Sequence, residues 1–129
     1  MNSKKVAIIG GGNMGEALAR GILQTKWATP DRMMIAEPLK DRLEKLKGIA
    51  HGIKSSHSNV DAASWADVIL LSVKPQITAH VLDEIKPVMK DNKLVLSVVA
   101  GITTSHMEKR LGGKVPVVRA MPNIAAVVR

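Results

Sequence analysis

Short continuous apolar runs alternate with stretches in which apolar residues return every three or four positions. Val6-Ala7-Ile8-Ile9 is apolar and mostly β-branched, which predicts a first strand over 5–10. Met14, Leu18 and Ile22, with Leu23 beside them, then keep helical spacing and predict a helix over 14–24. Thr29-Pro30-Asp31 reads as a turn, and 33–36 as a second strand. Pro38 stands where a first helical residue belongs, Leu39, Leu43 and Leu46 share one face, and Gly48 offers a stop, so a second amphipathic helix is expected there. A weak strand over 53–55 and a helical turn over 59–66 precede the strongest strand of the chain, 68–73, which Pro75 ends. Ile77, Val81 and Ile85 recur at four-residue spacing. Strands are predicted over 94–99 and 115–119, with a helix between them capped by Thr103 or Thr104 and running through Leu111.

Regular alternation of strand and helix implies right-handed parallel crossovers, hence an α/β, Rossmann-type doubly wound sheet. Six strands in the order 3-2-1-4-5-6 are expected, and the 129 residues suffice for one dinucleotide-binding domain and no more. In that order strand one lies beside strand four, and ligands bind beyond the carboxyl ends of the strands at this switch point. Four segments should therefore face one crevice: 10–15, Ser72-Val73-Lys74-Pro75, Ala100-Gly101 and Met121-Pro122-Asn123.

The first of these segments carries the clearest chemistry. Gly10-Gly11-Gly12-Asn13-Met14-Gly15 is a G-x-G-x-x-G that leaves a strand and opens a helix. Gly10 makes the tight turn, Gly12 lets the backbone approach a pyrophosphate, and Gly15 lets helix and strand pack closely. Loop amides and the positive end of the helix would receive the phosphate charge.

Composition narrows the partners. Apolar residues make up 46% of the chain, yet no run approaches the ~20 needed to cross a bilayer, and the polar start Met1-Asn2-Ser3-Lys4-Lys5 has no signal-peptide pattern. No membrane partner and a cytoplasmic location are expected. With no cysteine, disulfides and thiolate chemistry are excluded. Phe and Tyr are absent, and only Trp27 and Trp65 are aromatic, so Val, Ile, Leu, Ala and Met must fill a core, as suits a parallel sheet buried on both faces. The net charge of +8 is spread among interleaved acids without an aromatic stacking platform, which argues against nucleic acid. His51, His57, His80 and His106 lack metal-ligand spacing and read as surface or helix-cap residues, and Ser97 and Ser105 have no evident base partner.

Together the segments IGGGNMGEAL, SVKP, VVAGIT and RAMPN resemble pyrroline-5-carboxylate reductase over nearly the whole chain. A lone glycine motif would not separate this family from other dehydrogenases, whereas VKP combined with RAMPN is specific. The resemblance implies an oxidoreductase of proline biosynthesis that reduces 1-pyrroline-5-carboxylate to proline with NAD(P)H. It implies that Gly12, Asn13 and Met14 meet the pyrophosphate and Asn59 the adenosine end. Ser72, Val73, Lys74 and Pro75 would lie on the ribose and nicotinamide side, and Ala100 and Gly101 along the nicotinamide. Lys74 also reads as a solvated strand-end lysine, and both readings stay open.

Glu37 closes strand two, 22 residues after Gly15, where an acid accepts hydrogen bonds from the adenine-ribose hydroxyls. That favours NADH over NADPH modestly, although Lys40 and Arg42 stand near enough to compensate a 2′-phosphate. Many members of the family carry small polar residues at this place. A second departure lies in 122–125, where the family's P-N-T-P appears as Pro122-Asn123-Ile124-Ala125.

The family's helical domain, which builds the dimer and most of the imine pocket, has no counterpart in the 129 residues. The expectation is a cofactor-binding half with little or no turnover alone, its catalytic residues unassigned apart from Lys74. A freestanding NAD(P)-binding regulatory or sensor module is the alternative. The apolar stretch 124–128 predicts self-association into a homo-oligomer in either case.

Overall fold

The computed structural model describes residues 4–90 and 92–120. Its six strands are β1 (Val6–Ile9), β2 (Met33–Ala36), β3 (Lys54–Ser56), β4 (Val68–Leu71), β5 (Leu94–Ser97) and β6 (Val117–Arg119). They form one parallel sheet in the order β3-β2-β1-β4-β5-β6, the doubly wound order expected from the strand-helix alternation. Helices α1 (Asn13–Gln24), α2 (Lys40–Lys47), α3 (Asn59–Trp65), α4 (Pro75–Ile85) and α5 (Thr104–Arg110) supply the main crossovers.

The two faces of the sheet carry separate cores because side chains alternate along each strand. Ala7, Ile9, Ile69, Leu71 and Val95 point to the side of α3, α4 and α5 and are all fully buried. Val6, Ile8, Met33, Ile35 and Leu70 point to the side of α1 and α2, where Ala19 and Leu46 meet them. Met33 and Met107 are wholly buried fillers, as an aromatic-poor core requires. Among the described residues no helix is long and apolar enough to cross a membrane.

Several local expectations need correction. Helix α2 begins at Lys40, two residues beyond Pro38, with Leu39 as its N-cap. Leu39 is therefore outside the buried stripe and 62% exposed, while Leu43 and Leu46 are buried. Ile77 is likewise 47% exposed: Thr78, Val81, Leu82 and Ile85 form the inner face of α4, because the Thr78 hydroxyl donates to the Lys74 carbonyl and hides its polarity in the helix. Strands β4 and β5 end at Leu71 and Ser97, two residues earlier than their apolar runs. Strand β3 is shifted by one residue, and β6 starts at Val117. The α5 cap is Thr103, whose hydroxyl accepts from the His106 amide at 3.1 Å.

At the opposite end of the strands from the glycine turn, Lys93 is buried just before β5 and donates through Nζ to the carbonyls of Ser64 and Ala66. Burial lowers its pKa below the ordinary lysine value, with Asp67 opposing part of the shift.

Candidate functional site

The turn after β1 is built by exclusion of side chains. Gly10 has φ +102°, and a Cβ there would stand 2.7 Å from the Ser72 carbonyl oxygen. A Cβ on Gly15 would overlap the Gly10 carbonyl oxygen, so strand and helix approach only because both residues lack one. Ser72 fastens the arrangement from β4: its hydroxyl lies 2.8 Å from the Gly10 carbonyl and 3.1 Å from that of Ile9. One hydroxyl proton serves these two acceptors, and the lone pairs of the Ser72 oxygen are not used in either contact.

Gly12 differs from its neighbours. It is the N-cap of α1, no side chain caps the helix, and the nearest atom to a Cβ placed there is an Arg42 nitrogen at 3.8 Å. The first hydrogen bond of α1 runs from the Glu16 amide to the Gly12 carbonyl. The earlier amides of Asn13 and Met14 have no acceptor among the described residues, as the first turn of a helix leaves them. Open space over Gly12 and unpartnered amides beneath it make a cradle for an anion.

Glu37, the residue after β2, lies beside the glycine that precedes this cradle. It is 6% exposed, and its two carboxylate oxygens accept from the amides of Gly11 and Leu39, each at 2.9 Å. Arg42 reaches the other side of the same glycine, its guanidinium donating to the Gly11 carbonyl at 2.8 Å. Gly11 is buried, and a Cβ on it would stand 2.9 Å from a Glu37 carboxylate oxygen. Gly11 is not among the residues that the G-x-G-x-x-G spacing singles out, although three successive glycines signal that the middle one is constrained too. His57 is exposed, as a surface histidine should be, and its Nδ1 lies 3.1 Å from the Glu37 carbonyl. A carbonyl only accepts, so Nδ1 carries the proton in that contact.

The remaining segments follow the neighbouring strands. Ser72 and Val73 are half-buried after β4, while Lys74 is exposed as the N-cap of α4, whose first residue is Pro75. Ala100 and Gly101 follow β5 in an exposed turn, and nothing lies within 4 Å of a Cβ on Gly101. Asn59 opens α3, and its amide group donates to Glu84 at 2.9 Å. Because β1 pairs with β4 and β4 with β5, the ends of these strands are adjacent. Met121-Pro122-Asn123 and the stretch 124–128 lie outside the described residues. Among the described residues no three His, Cys, Asp or Glu side chains gather as a metal site.

The fold is shared with known proteins. Residues 5–101 match the family described as NADP oxidoreductase, coenzyme F420-dependent. Pyrroline-5-carboxylate reductase 3 of Xenopus laevis is 38% identical over 98% of this chain and 46% of its own length. The structure of a pyrroline-5-carboxylate reductase from Coxiella burnetii superposes with a TM-score of 0.89 at 33% identity, covering 98% of this chain and 47% of the other. That of the Plasmodium falciparum enzyme, with NADP bound, gives 0.84 at 30% identity and covers 99% and 45%. The chain thus spans just under half the length of the relatives it matches. With three quarters of its residues inside the family's pattern and pyrroline-5-carboxylate reductases among its relatives, the chain belongs to the NADP oxidoreductase, coenzyme F420-dependent family.

Proposed function

We propose that this chain is the cofactor-binding half of an NAD(P)H-dependent pyrroline-5-carboxylate reductase, a single dinucleotide-binding domain. The observation that carries the reading is the cradle at Gly12, where a Cβ would meet only an Arg42 nitrogen at 3.8 Å and the Asn13 and Met14 amides lack acceptors. A pyrophosphate fits that donor set in charge and in shape. Relatives named as pyrroline-5-carboxylate reductases, one of them with NADP bound, support the choice of ligand.

In this reading Gly10 and Gly15 shape the turn, and Gly12, Asn13 and Met14 hold the pyrophosphate. Glu37 and Asn59 border the adenosine end, Ser72, Val73, Lys74 and Pro75 the ribose and nicotinamide, and Ala100 and Gly101 the nicotinamide face. When bound, reduced nicotinamide supplies a hydride to the C=N carbon of the pyrroline ring. The chain's own residues position and hold. Ser72 acts on the turn through its proton and on a ligand through its lone pairs. The imine pocket and dimer contacts belong to the family's remaining half, so turnover by this chain alone is expected to be slight.

Glu37 also supports a modest preference for NADH. Each of its oxygens accepts one backbone amide and retains a lone pair, and its charge opposes a 2′-phosphate. Calorimetric titration with NADH and NADPH tests both parts. Binding by the wild type and none by Gly12→Asp is expected. Failure of the wild type to bind either dinucleotide, or undiminished binding by the variant, overturns the cofactor reading, and equal or tighter NADPH binding at fixed salt overturns the preference.

A further inference from the structure

A cavity of about 470 Å³ lies at the amino ends of β5 and β6, the opposite end of the sheet from the glycine turn. Lys86, Lys90 and Lys114 surround it, all exposed, while Leu111 and Val115 form a buried floor with Met89 half-buried beside them. No carboxylate is in its lining. Two chain reversals bring the lysines together. After α4 the 3₁₀ turn Lys86–Val88 leads to Met89 and Lys90. After α5 the consecutive residues Gly112 and Gly113, with φ +95° and +81°, turn the chain toward Lys114, a conformation that glycine adopts freely. A Cβ on Gly112 would stand 3.5 Å from Cε of Lys86, so the Lys86 stem lies across this turn.

Stability does not account for the cluster. A cation is favoured at the carboxyl end of a helix, which explains Lys86, the C-cap of α4. Lys90 and Lys114 stand beyond the helix ends. Three like charges around one cavity repel, and among the described residues none of the three is in an ion pair. Asp83, whose carboxylate feels the charge of Lys86, is already held by Arg110 at 2.9 and 3.1 Å. Asp91, beside Lys90 in the sequence, lies outside the described residues. Lys90 also borders an adjoining cavity that contains buried Lys93, whose Nζ is fixed on the Ser64 and Ala66 carbonyls. A fourth cation, held in place, thus adds to the positive field.

We propose that this cavity binds a small organic molecule with two or more phosphoryl groups, its charge among Lys86, Lys90 and Lys114 and its carbon body on Leu111 and Val115. Ammonium groups are compact point charges without the planar fork that suits a carboxylate, and they attract a ligand in proportion to its charge. The volume falls in the range of small-molecule sites, about 300–1,000 Å³. The apolar floor favours a ring-bearing phosphate ester over an inorganic oligophosphate. A nucleoside diphosphate is the simplest such molecule. The site is separate from the dinucleotide crevice and does not depend on what binds there.

Methyl NMR of the full chain labelled at methionine reads the two places separately, because Met89 borders this cavity and Met14 lies in the first turn of α1. Met89→Leu assigns the resonance. ADP should shift the Met89 signal in the wild type and in Gly12→Asp alike, with pyrophosphate weaker and inorganic phosphate weaker still. Lys86→Ser combined with Lys114→Ser should weaken ADP at this signal by roughly tenfold or more and leave the melting temperature unchanged, since both side chains are exposed. An unmoved Met89 signal at millimolar ADP, equal affinity in the double variant, or a response lost in Gly12→Asp would overturn the inference. A shift at Met14 alone would place ADP in the dinucleotide crevice and overturn it too. Capture by phosphatidylglycerol vesicles that the double variant loses, without any response to ADP, would replace the free ligand with a lipid headgroup.

Discussion

The Glu37 carboxylate accepts the Gly11 amide proton at 2.9 Å, across 26 residues of sequence and the seam between β1 and β2. The side chain proposed to read a ribose thus also fixes the loop proposed to receive the pyrophosphate. Arg42 holds the carbonyl of the same glycine at 2.8 Å, so both polar groups of one residue are tied to the segment after β2. In the proposed function this ties adenosine recognition mechanically to phosphate recognition.

Glu37→Gln should therefore affect stability and selectivity together. The amide presents one acceptor and one donor to two backbone donors, leaving a buried N–H opposed. A loss of about 1–3 kcal/mol is expected by chemical denaturation. In the folded fraction NADPH should gain on NADH by roughly threefold to tenfold, since a charge facing the 2′-phosphate is removed. An unchanged NADPH-to-NADH ratio in calorimetry would assign Glu37 to the loop alone.

The glycines should separate into two classes. Gly12→Ala meets no protein atom closer than 3.8 Å and should leave the melting temperature within about 2 °C, yet place a methyl group against the pyrophosphate and weaken NADH binding at least tenfold. Gly15→Ala forces a methyl into the Gly10 carbonyl and should destabilise the fold by about 1–3 kcal/mol even without cofactor. Thermal melts with and without NADH distinguish the two effects.

Burial on both faces is why β1, β2 and β4 were readable as continuous apolar runs and why their order followed from alternation alone. The ends of β4 and β5 were not, because Val73 and Val99 are apolar residues that pack as loops after the ladder stops. Pro38 misled the start of α2: the helix rule fits it, but Glu37 holds the Leu39 amide and delays the first turn. The grip on Gly11 joins residues 26 apart and leaves no periodic trace. Leu96 and Val118 read as strand residues buried on both sides; only the unequal distribution of helices exposes one side.

Lys93 gives the stability a pH dependence of definite sign. Its folded pKa lies below the ordinary 10.5, mainly through desolvation, so the unfolded chain binds the extra proton in the interval between the two values. Stability from this group must rise with pH through that alkaline interval and be level below it. Lys93→Met leaves the Ser64 and Ala66 carbonyls without their donor and should cost about 1–3 kcal/mol near neutral pH. Urea denaturation of both proteins from pH 7 to 10.5 should show the wild type gaining on the variant as pH rises. A parallel pair of curves would contradict the assigned shift.

Arg42→Met offers the counterpart to Glu37→Gln. The Gly11 carbonyl loses a donor, but Arg42 is only half-buried and water can replace it, so the stability change should stay below about 1 kcal/mol. Its guanidinium is the positive group nearest the open side of Gly12, and removing it should weaken both dinucleotides. NADPH carries the additional phosphate and should lose more than NADH, by roughly threefold to tenfold, with the excess loss shrinking as salt is raised. The two variants then move the NADPH-to-NADH ratio in opposite directions. If both move it the same way, selectivity does not reside in the balance of Glu37 against Arg42.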